Sequence, residues 1–114
     1  MDGCVFCKII NKELTATVYY EDDKLIAIKD INPAAPVHIL IIPKEHIINV
    51  KDIDESNEQI LVDIHRVANK LAKQLEIDEK GYRLITNCGK QAGQTVFHLH
   101  YHLLGGTDMG DKLL

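Results

Sequence analysis

The sequence predicts an α+β domain in which an antiparallel sheet carries one long helix on one face. Residues 54–78 place apolar side chains three and four positions apart, which is typical of a helix with one buried face. Shorter apolar segments lie on both sides of that helix, three before it and two after it. Strands joined by short turns usually pair antiparallel, so this order of elements predicts an α+β architecture.

The elements before the long helix are short. Residues 4–13 (CVFCKIINKE) repeat apolar side chains at helical spacing and favour a short N-terminal helix. Residues 17–21 (TVYYE) and 24–30 (KLIAIKD) are predicted to form a hairpin. The segment INPAAP is predicted to be a turn, because its two prolines lack the N–H that a ladder requires. Residues 37–43 (VHILIIP) are then a third strand, apolar enough for the centre of the sheet.

The long helix and the elements after it complete the sheet. Residues 81–87 (GYRLITN) and 96–104 (VFHLHYHLL) are predicted to be the fourth and fifth strands, with the glycine-containing loop CGKQAGQ between them. The helix presents its apolar stripe to the core through Ile60, Leu61, Ile64, Val67, Ala68, Leu71 and Leu75.

Length and composition predict one domain over residues 1–114, with a core at 4–106 and a tail at 107–114. Thirteen Lys and Arg against seventeen Asp and Glu give a formal charge of −4, which argues against a nucleic-acid polymer as partner. No run approaches the roughly 18 apolar residues of a membrane span, and the N-terminus has no export-signal pattern. Together with the odd number of cysteines, these features predict a cytoplasmic protein.

Three histidines recur at every second position near the end of the chain. In a strand, His98, His100 and His102 share one face. Their first and last members would lie ~13 Å apart, too far to bind one metal ion easily. The spacing therefore predicts that one end of the row has a different role from the rest. The opposite face is predicted to meet the long helix through Phe97, Leu99, Tyr101 and Leu103.

A second group of chemically active residues lies at the N-terminus. Cys4 and Cys7 form a C-x-x-C pair, which by itself is compatible with redox chemistry, metal binding or chance. No βαβ pattern follows the pair, which argues against a thioredoxin-like redox motif. Four-coordinate zinc would need two further ligands, for which His46 and His98 are candidates.

Several stretches carry a resemblance to a known family. HLHYHLL resembles the His-φ-His-φ-His-φ-φ signature of the histidine triad (HIT) family, and GQTVFHLHYHLLGG is similar to its Hint-like branch of nucleotide hydrolases. CVFCKII, EDDKLIAIKDINPAAPVHILIIPKEHI and GYRLITNCGKQAGQTV resemble that branch in order and spacing. The resemblance implies a HIT-like fold, with a five-stranded antiparallel sheet, one long helix and a short N-terminal helix.

Two features depart from the family pattern. Tyr101 stands where the signature usually has an aliphatic residue, on the face turned to the core. The tail GGTDMGDKLL lacks the aromatic residue that many relatives place against the substrate. The preference for a leaving group is therefore open.

The resemblance also implies an activity and its residues. The family hydrolyses a bond at the α-phosphorus of purine nucleotide derivatives, commonly a phosphoramidate, through a covalent nucleotidyl-histidine intermediate. By this resemblance His100 is the nucleophile, His102 contacts the phosphate or the leaving group, and His38 hydrogen-bonds into the triad from behind. Besides His100 and His102, nucleotide contacts are implied for Phe6, Ile9, Ile28, Asp30, Ile31, Asn87, Gly93, Gln94 and Thr95.

Many bacterial members of the branch bind structural zinc, which here implies the ligands Cys4, Cys7, His46 and His98. Four protein ligands leave no open position, so no catalytic metal is expected. The family further implies a homodimer. Two alternatives stay open at this stage, a metal-dependent hydrolase that uses the histidine row as ligands and a nucleotide-binding regulatory module with little turnover.

Overall fold

A computed structural model describes residues 3–111 of the chain, and its five strands form one antiparallel sheet. The strands are β1 (Val18–Glu21), β2 (Leu25–Lys29), β3 (Val37–Pro43), β4 (Tyr82–Ile85) and β5 (Tyr101–Gly105), in the spatial order β1-β2-β3-β5-β4. The helices are α1 (Val5–Ile10) and α2 (Gln59–Gln74), and single turns of 3-10 helix occur at Val50–Asp52 and Lys90–Ala92. The α+β prediction is confirmed. The last three residues of the predicted tail lie outside the described range.

The main core lies between the sheet and α2. The helix buries Ile64, Val67, Ala68 and Leu71, four members of the predicted stripe, and the other three are partly buried against the same core. The sheet contributes the residues whose side chains alternate toward the helix, Leu25, Ala27, Ile39, Ile41, Tyr101 and Leu103. The central position predicted for residues 37–43 is confirmed, because β3 pairs with β2 on one side and β5 on the other.

A second, smaller core covers the opposite face of the sheet. Phe6 of α1 is buried there against residues of β2 and β3, namely Ile26, Ile28, Leu40 and Ile42. His38 and His102 belong to this face too, because His102 is the register partner of Leu40 and His38 lies two residues before Leu40. The short N-terminal helix therefore lies on the histidine side of the sheet.

The fifth strand is shorter than the sequence predicts. Residues 96–104 were expected to be extended, but the ladder begins at Tyr101, which pairs with Ile41 of β3. Two residues further along this register, Leu99 would lie opposite Pro43, which has no N–H to donate. The chain before Tyr101 instead bonds elsewhere, with the Leu99 N–H donating to the carbonyl of Ile47 at 2.6 Å.

Because β5 begins only at Tyr101, the prediction for one residue of the core face is wrong. Leu99, Tyr101 and Leu103 are buried beneath α2 as expected, whereas Phe97 lies outside the ladder and is 48% exposed. The late start of β5 also means that His98 and His100 precede the strand, and only His102 lies within it. Within residues 3–111, no helix combines the length and the apolar character that crossing a membrane would require.

Candidate active site and metal-ligand cluster

The three histidines of the row each have a different partner. His98 and His100 are buried and His102 is half-buried. Every fully buried side-chain nitrogen or oxygen in the described part of the chain has a hydrogen-bond partner. The partners of the row therefore reveal which ring nitrogen of each imidazole carries the proton.

His98 faces the N-terminal cysteines. Its Nε2 donates to the carbonyl oxygen of Pro43 at 2.7 Å, because a carbonyl can only accept. The proton is thus on Nε2, and Nδ1 presents its lone pair 3.4 Å from the sulfur of Cys4 and 3.5 Å from that of Cys7. Burial lowers the pKa of His98, which favours this neutral form.

Cys4, Cys7, His46 and His98 bring one donor atom each to a single point, within 4.8 Å of one another. Cys7 Sγ lies 3.2 Å from His46 Nδ1. A tetrahedral metal with bonds of ~2.0–2.3 Å separates such donors by roughly 3.5 Å, which the Sγ–Nδ1 separations match. A buried histidine that ligates with one nitrogen and donates from the other is the usual arrangement around a metal.

Helix α1 brings both sulfurs to this cluster. Cys4 is its N-cap, and the Cys4 sulfur accepts from the Cys7 N–H at 3.3 Å. Desolvation and the side-chain hydrogen bond with Cys4 raise the pKa of the Cys7 thiol to about 11. A bound cation would reverse this preference, because it stabilises the thiolate. The residues present therefore fit a metal ion held by two sulfurs and two imidazoles.

His100 has the opposite proton placement. Its Nδ1 donates to the carbonyl oxygen of His98 at 2.7 Å, which leaves the lone pair on Nε2. Burial lowers the pKa of His100, so the ring is neutral near pH 7. The ring of Phe6 meets it edge-on, with centroids 5.0 Å apart. His100 is therefore held as a neutral base with a fixed, available nitrogen.

His102 and His38 form a hydrogen-bonded pair next to the ring of His100. His38 Nε2 lies 2.9 Å from His102 Nδ1, and the His102 ring is 5.1 Å from that of His100. The Asp30 carboxylate approaches His38 Nε2 at 3.3 Å. Desolvation, followed by the neighbouring His100 and His38, lowers the pKa of His102 to about 4. The structure thus joins the predicted residues Asp30, His38, His100 and His102 in one group.

The loop between β4 and β5 is braced by Gln94. Its buried amide accepts from the N–H of Gly89 at 2.8 Å and from Asn49 at 3.3 Å. It donates to the carbonyls of Ile48 at 2.7 Å and Val96 at 3.1 Å. This bracing role was not foreseen from the sequence. A direct contact from Gln94 to a phosphate stays a prediction.

The other members of the predicted phosphate loop are on the surface. Gly93 and Thr95 are exposed, and Gly93 adopts a φ of +90°, which favours glycine. The N–H of Gly93 donates to the carbonyl of Lys90, and that of Gln94 donates to the carbonyl of Gly89. These two N–H groups therefore stabilise the turn itself. Asn87 is half-buried, two residues beyond the end of β4.

The predicted base-pocket residues are divided between core and surface. Phe6 and Ile28 are buried in the smaller core and Ile9 packs partly buried against it, adjacent to the histidines through Phe6. Ile31, next to Asp30, is 90% exposed. Such an exposed apolar side chain beside a carboxylate is free to contact a ligand.

Two backbone groups contact the histidines of the site, and the sequence did not predict either contact. The N–H of Ala34 donates to His38 Nδ1 at 3.0 Å, and the carbonyl of Pro43 holds His98. Thr86 adds a third contact, because its hydroxyl donates to the carbonyl of His100 at 2.9 Å. Backbone donors and acceptors are present at every residue, so only the fold selects which ones are used.

A five-stranded antiparallel sheet with one long helix, and a row of three histidines with His38 and Asp30 beside it, has the fold and site expected of the histidine-triad class. Comparisons with known proteins agree. The family model described as "Scavenger mRNA decapping enzyme C-term binding" matches residues 3–112. The purine nucleoside phosphoramidase of Escherichia coli strain K12 is 47% identical over 109 residues, which cover 96% of this chain and 92% of that protein.

Solved structures agree equally well. The chain is similar to a HIT family hydrolase from Clostridium thermocellum, with 74% identity, a TM-score of 0.98, and coverage of 100% of this chain and 99% of that one. A histidine triad protein from Clostridium difficile gives 47% identity and a TM-score of 0.94, with 99% and 97% covered. The chain therefore belongs to the histidine triad family.

Proposed function

We propose that this protein hydrolyses purine nucleoside phosphoramidates and related nucleotides at the α-phosphorus, with His100 Nε2 as the nucleophile. The hydrogen bond from His100 Nδ1 to the carbonyl of His98 carries this proposal, because it leaves Nε2 unprotonated. Among relatives, one similar protein is named a purine nucleoside phosphoramidase and another a HIT family hydrolase.

The reaction takes two steps that balance in protons. His100 Nε2 first attacks phosphorus, the P–N bond breaks, and the departing amine takes up one proton. Water then attacks the nucleotidyl-histidine, releases the nucleoside monophosphate and returns one proton. Dividing hydrolysis in this way replaces one difficult displacement by two easier ones. His102, neutral because its pKa is about 4, donates a hydrogen bond to the phosphate.

Substrate binding is assigned to the groups around this nucleophile. Asp30 accepts hydrogen bonds from the ribose hydroxyls, while Gly93, Gln94, Thr95 and Asn87 lie on the phosphate side. Phe6, Ile9, Ile28 and Ile31 line the purine. Support comes from the contacts of Asp30 with His38 and of Phe6 with His100. A carboxylate is suited to a pair of vicinal hydroxyl donors.

The same proposal includes a structural zinc ion bound by Cys4, Cys7, His46 and His98. The convergence of two sulfurs and two imidazole nitrogens supports zinc, since this ligand set is typical of closed zinc sites. When bound, the ion would fix α1 and the His98 ring in place. It would leave the chemistry to His100.

We further propose that the protein works as a homodimer in the cytoplasm. The resemblance to the Hint-like branch implies the dimer, and three cysteines without a disulfide among the described residues fit a reducing compartment. Light scattering coupled to size exclusion tests the first statement, and a monomer at working concentration would contradict it. Fractionation of cells tests the second.

Turnover of adenosine and guanosine phosphoramidates that carry a fluorescent amine tests the activity. We expect wild type to release the amine and His100→Ala to do so about a thousandfold more slowly or worse. His65→Ala is the matched control, because His65 is an exposed imidazole on α2. Undiminished turnover in His100→Ala would contradict the proposal that His100 is the nucleophile. A nucleotide that binds but is never hydrolysed would favour the regulatory module.

A further inference from the structure

We propose that the backbone N–H of Ala34 is a positioning group that acts through His38 to keep the proton of His102 on Nε2 and its lone pair on Nδ1. Only the hydrogen bond from His102 Nε2 to the phosphate of a nucleotide rests on the proposed function. The placement of the proton itself follows from contacts within the chain.

The first link is the contact between Ala34 and His38. A backbone N–H can only donate, so His38 Nδ1, 3.0 Å away, must present a lone pair. Burial lowers the pKa of His38, although Asp30 opposes this, and the neutral ring keeps one proton. That proton must then be on Nε2. The Asp30 carboxylate, 3.3 Å from the same Nε2, can only accept and selects the same form.

The second link is the contact between the two rings. His38 Nε2 lies 2.9 Å from His102 Nδ1, and since His38 provides the proton, His102 must provide the lone pair. A neutral His102 then carries its own proton on Nε2. This is the reverse of His100, whose proton is on Nδ1. Adjacent imidazoles of the row are thus fixed as one acceptor and one donor for the same phosphate.

The contact from Ala34 also decides against a metal at this place. Asp30, His38 and His102 bring donor atoms within 4.8 Å of one another, a set of two imidazoles and one carboxylate that resembles a metal site. A histidine that ligates through Nε2 normally donates from Nδ1 to an acceptor. Here Nδ1 of His38 accepts instead, so ligation through Nε2 would leave the ring without any proton.

The side chain of Ala34 is exposed, so the amide can be altered without disturbing the core. Replacing Ala34 by lactic acid during semisynthesis exchanges the N–H for an ester oxygen and keeps the methyl group. His38→Gln and His38→Leu form a genetically encoded pair. Glutamine can offer its amide NH₂ to His102 Nδ1 whatever residue 34 does, whereas leucine offers nothing.

Long-range ¹H–¹⁵N correlation spectra of the nucleotide-free protein, loaded with one equivalent of Zn²⁺, distinguish the two neutral tautomers of each histidine. We expect the His102 proton on Nε2 in wild type and His38→Gln, with the His100 proton on Nδ1 as an internal contrast. His38→Leu should show a mixture at His102, and the ester protein should show a smaller Nε2 fraction than wild type, since only Asp30 then favours the same form of His38. Turnover should fall by about 10-fold in the ester protein, the equivalent of one hydrogen bond. In the His38→Gln background the ester should have no further effect.

The proposal is overturned if His102 carries its proton on Nδ1 in wild type, or if the ester protein keeps the wild-type fraction of the proton on Nε2. It is also overturned if a second equivalent of Zn²⁺ shifts the ring nitrogens of His38 and His102, which would mean a metal site. Absence of turnover in every protein, with the tautomers as expected, would contradict the proposed function alone.

Discussion

The carbonyl oxygen of His98 lies 2.7 Å from Nδ1 of His100, so a residue of the four-donor cluster orients the proposed nucleophile. The same His98 is held at its Nε2 by the carbonyl of Pro43. A metal bound at His98 Nδ1 would complete this support. The position of the proposed reactive nitrogen thus depends on His98 and Pro43, which are not among the proposed substrate contacts.

This relationship predicts the atom that becomes modified. Because Nδ1 of His100 is already donating, the nucleotidyl group should attach to Nε2 alone. Rapid quenching in alkali, which preserves P–N bonds, followed by mass spectrometry and ³¹P–¹⁵N correlation identifies the nitrogen. His65→Ala should form the same adduct. An adduct on Nδ1 of His100, or on His102, would show that the tautomer assignment is wrong.

Metal content should depend on the N-terminal pair. Cys4→Ser removes one of four donors and replaces a thiolate by a poor zinc ligand, so bound zinc should fall to background by elemental analysis. The free energy of unfolding should fall by more than ~2 kcal/mol, because a ligand bound only to the folded state no longer contributes. Cys88→Ser, a change at a half-buried cysteine outside the cluster, is the control. Equal zinc content in both variants would contradict the proposed zinc site.

Asp30 should determine selectivity for ribose. A carboxylate that accepts from sugar hydroxyls contributes about 1.5–3 kcal/mol, so wild type should bind a nucleoside monophosphate roughly 10- to 100-fold more tightly than its 2′-deoxy form. In Asp30→Asn this ratio should shrink toward one. Asp30 also contacts His38, and comparing the two ligands within each variant cancels that effect. Calorimetry gives both affinities. An unchanged ratio would contradict the ribose assignment.

Stability should decline in mild acid through His102. An unfolded histidine takes up its proton near pH 6.5, whereas the folded protein resists protonation of His102 until about pH 4. The unfolded state therefore binds more protons in this window, and the free energy of unfolding falls as the pH is lowered from about 6.5 to 4.

The slope due to His102 should approach about 1 kcal/mol per pH unit, allowing for its partial exposure. Urea titrations of wild type and His102→Gln across this range measure it as a difference. Loss of zinc at low pH affects both proteins and cancels. Parallel curves for the two proteins would contradict the depressed pKa of His102. His65→Gln controls for removal of an imidazole at the surface.

Gly105 should tolerate no side chain. A Cβ at this position would lie 2.7 Å from Cδ1 and 3.1 Å from Cβ of Ile77, inside the main core. Gly105→Ala should therefore lower the free energy of unfolding by about 1–3 kcal/mol, the usual cost of overpacking. Gly3→Ala is the control, because nothing lies within 4 Å of its added methyl group. Chemical denaturation measures both, and equal stability would show that Ile77 moves aside.

Much of the fold was readable from periodicity. The α2 stripe depends only on local spacing and the central position of β3 only on its continuous apolar run, and the structure confirms both. The predicted start of β5 was wrong because it depends on Pro43, which lies 56 positions before Leu99 and would be its register partner only in the folded sheet. A missing donor ends the ladder, and sequence near the histidines contains no sign of it.

The sequence by itself determined which chemistry is available, namely the histidine row, the C-x-x-C pair and the carboxylate of Asp30. Only the tertiary structure decided the state of each imidazole. Which ring nitrogen holds the proton depends on whether a carbonyl, a backbone N–H or another ring approaches it. Those partners come from Pro43, His98, Ala34 and His38, and folding alone brings them within hydrogen-bonding distance.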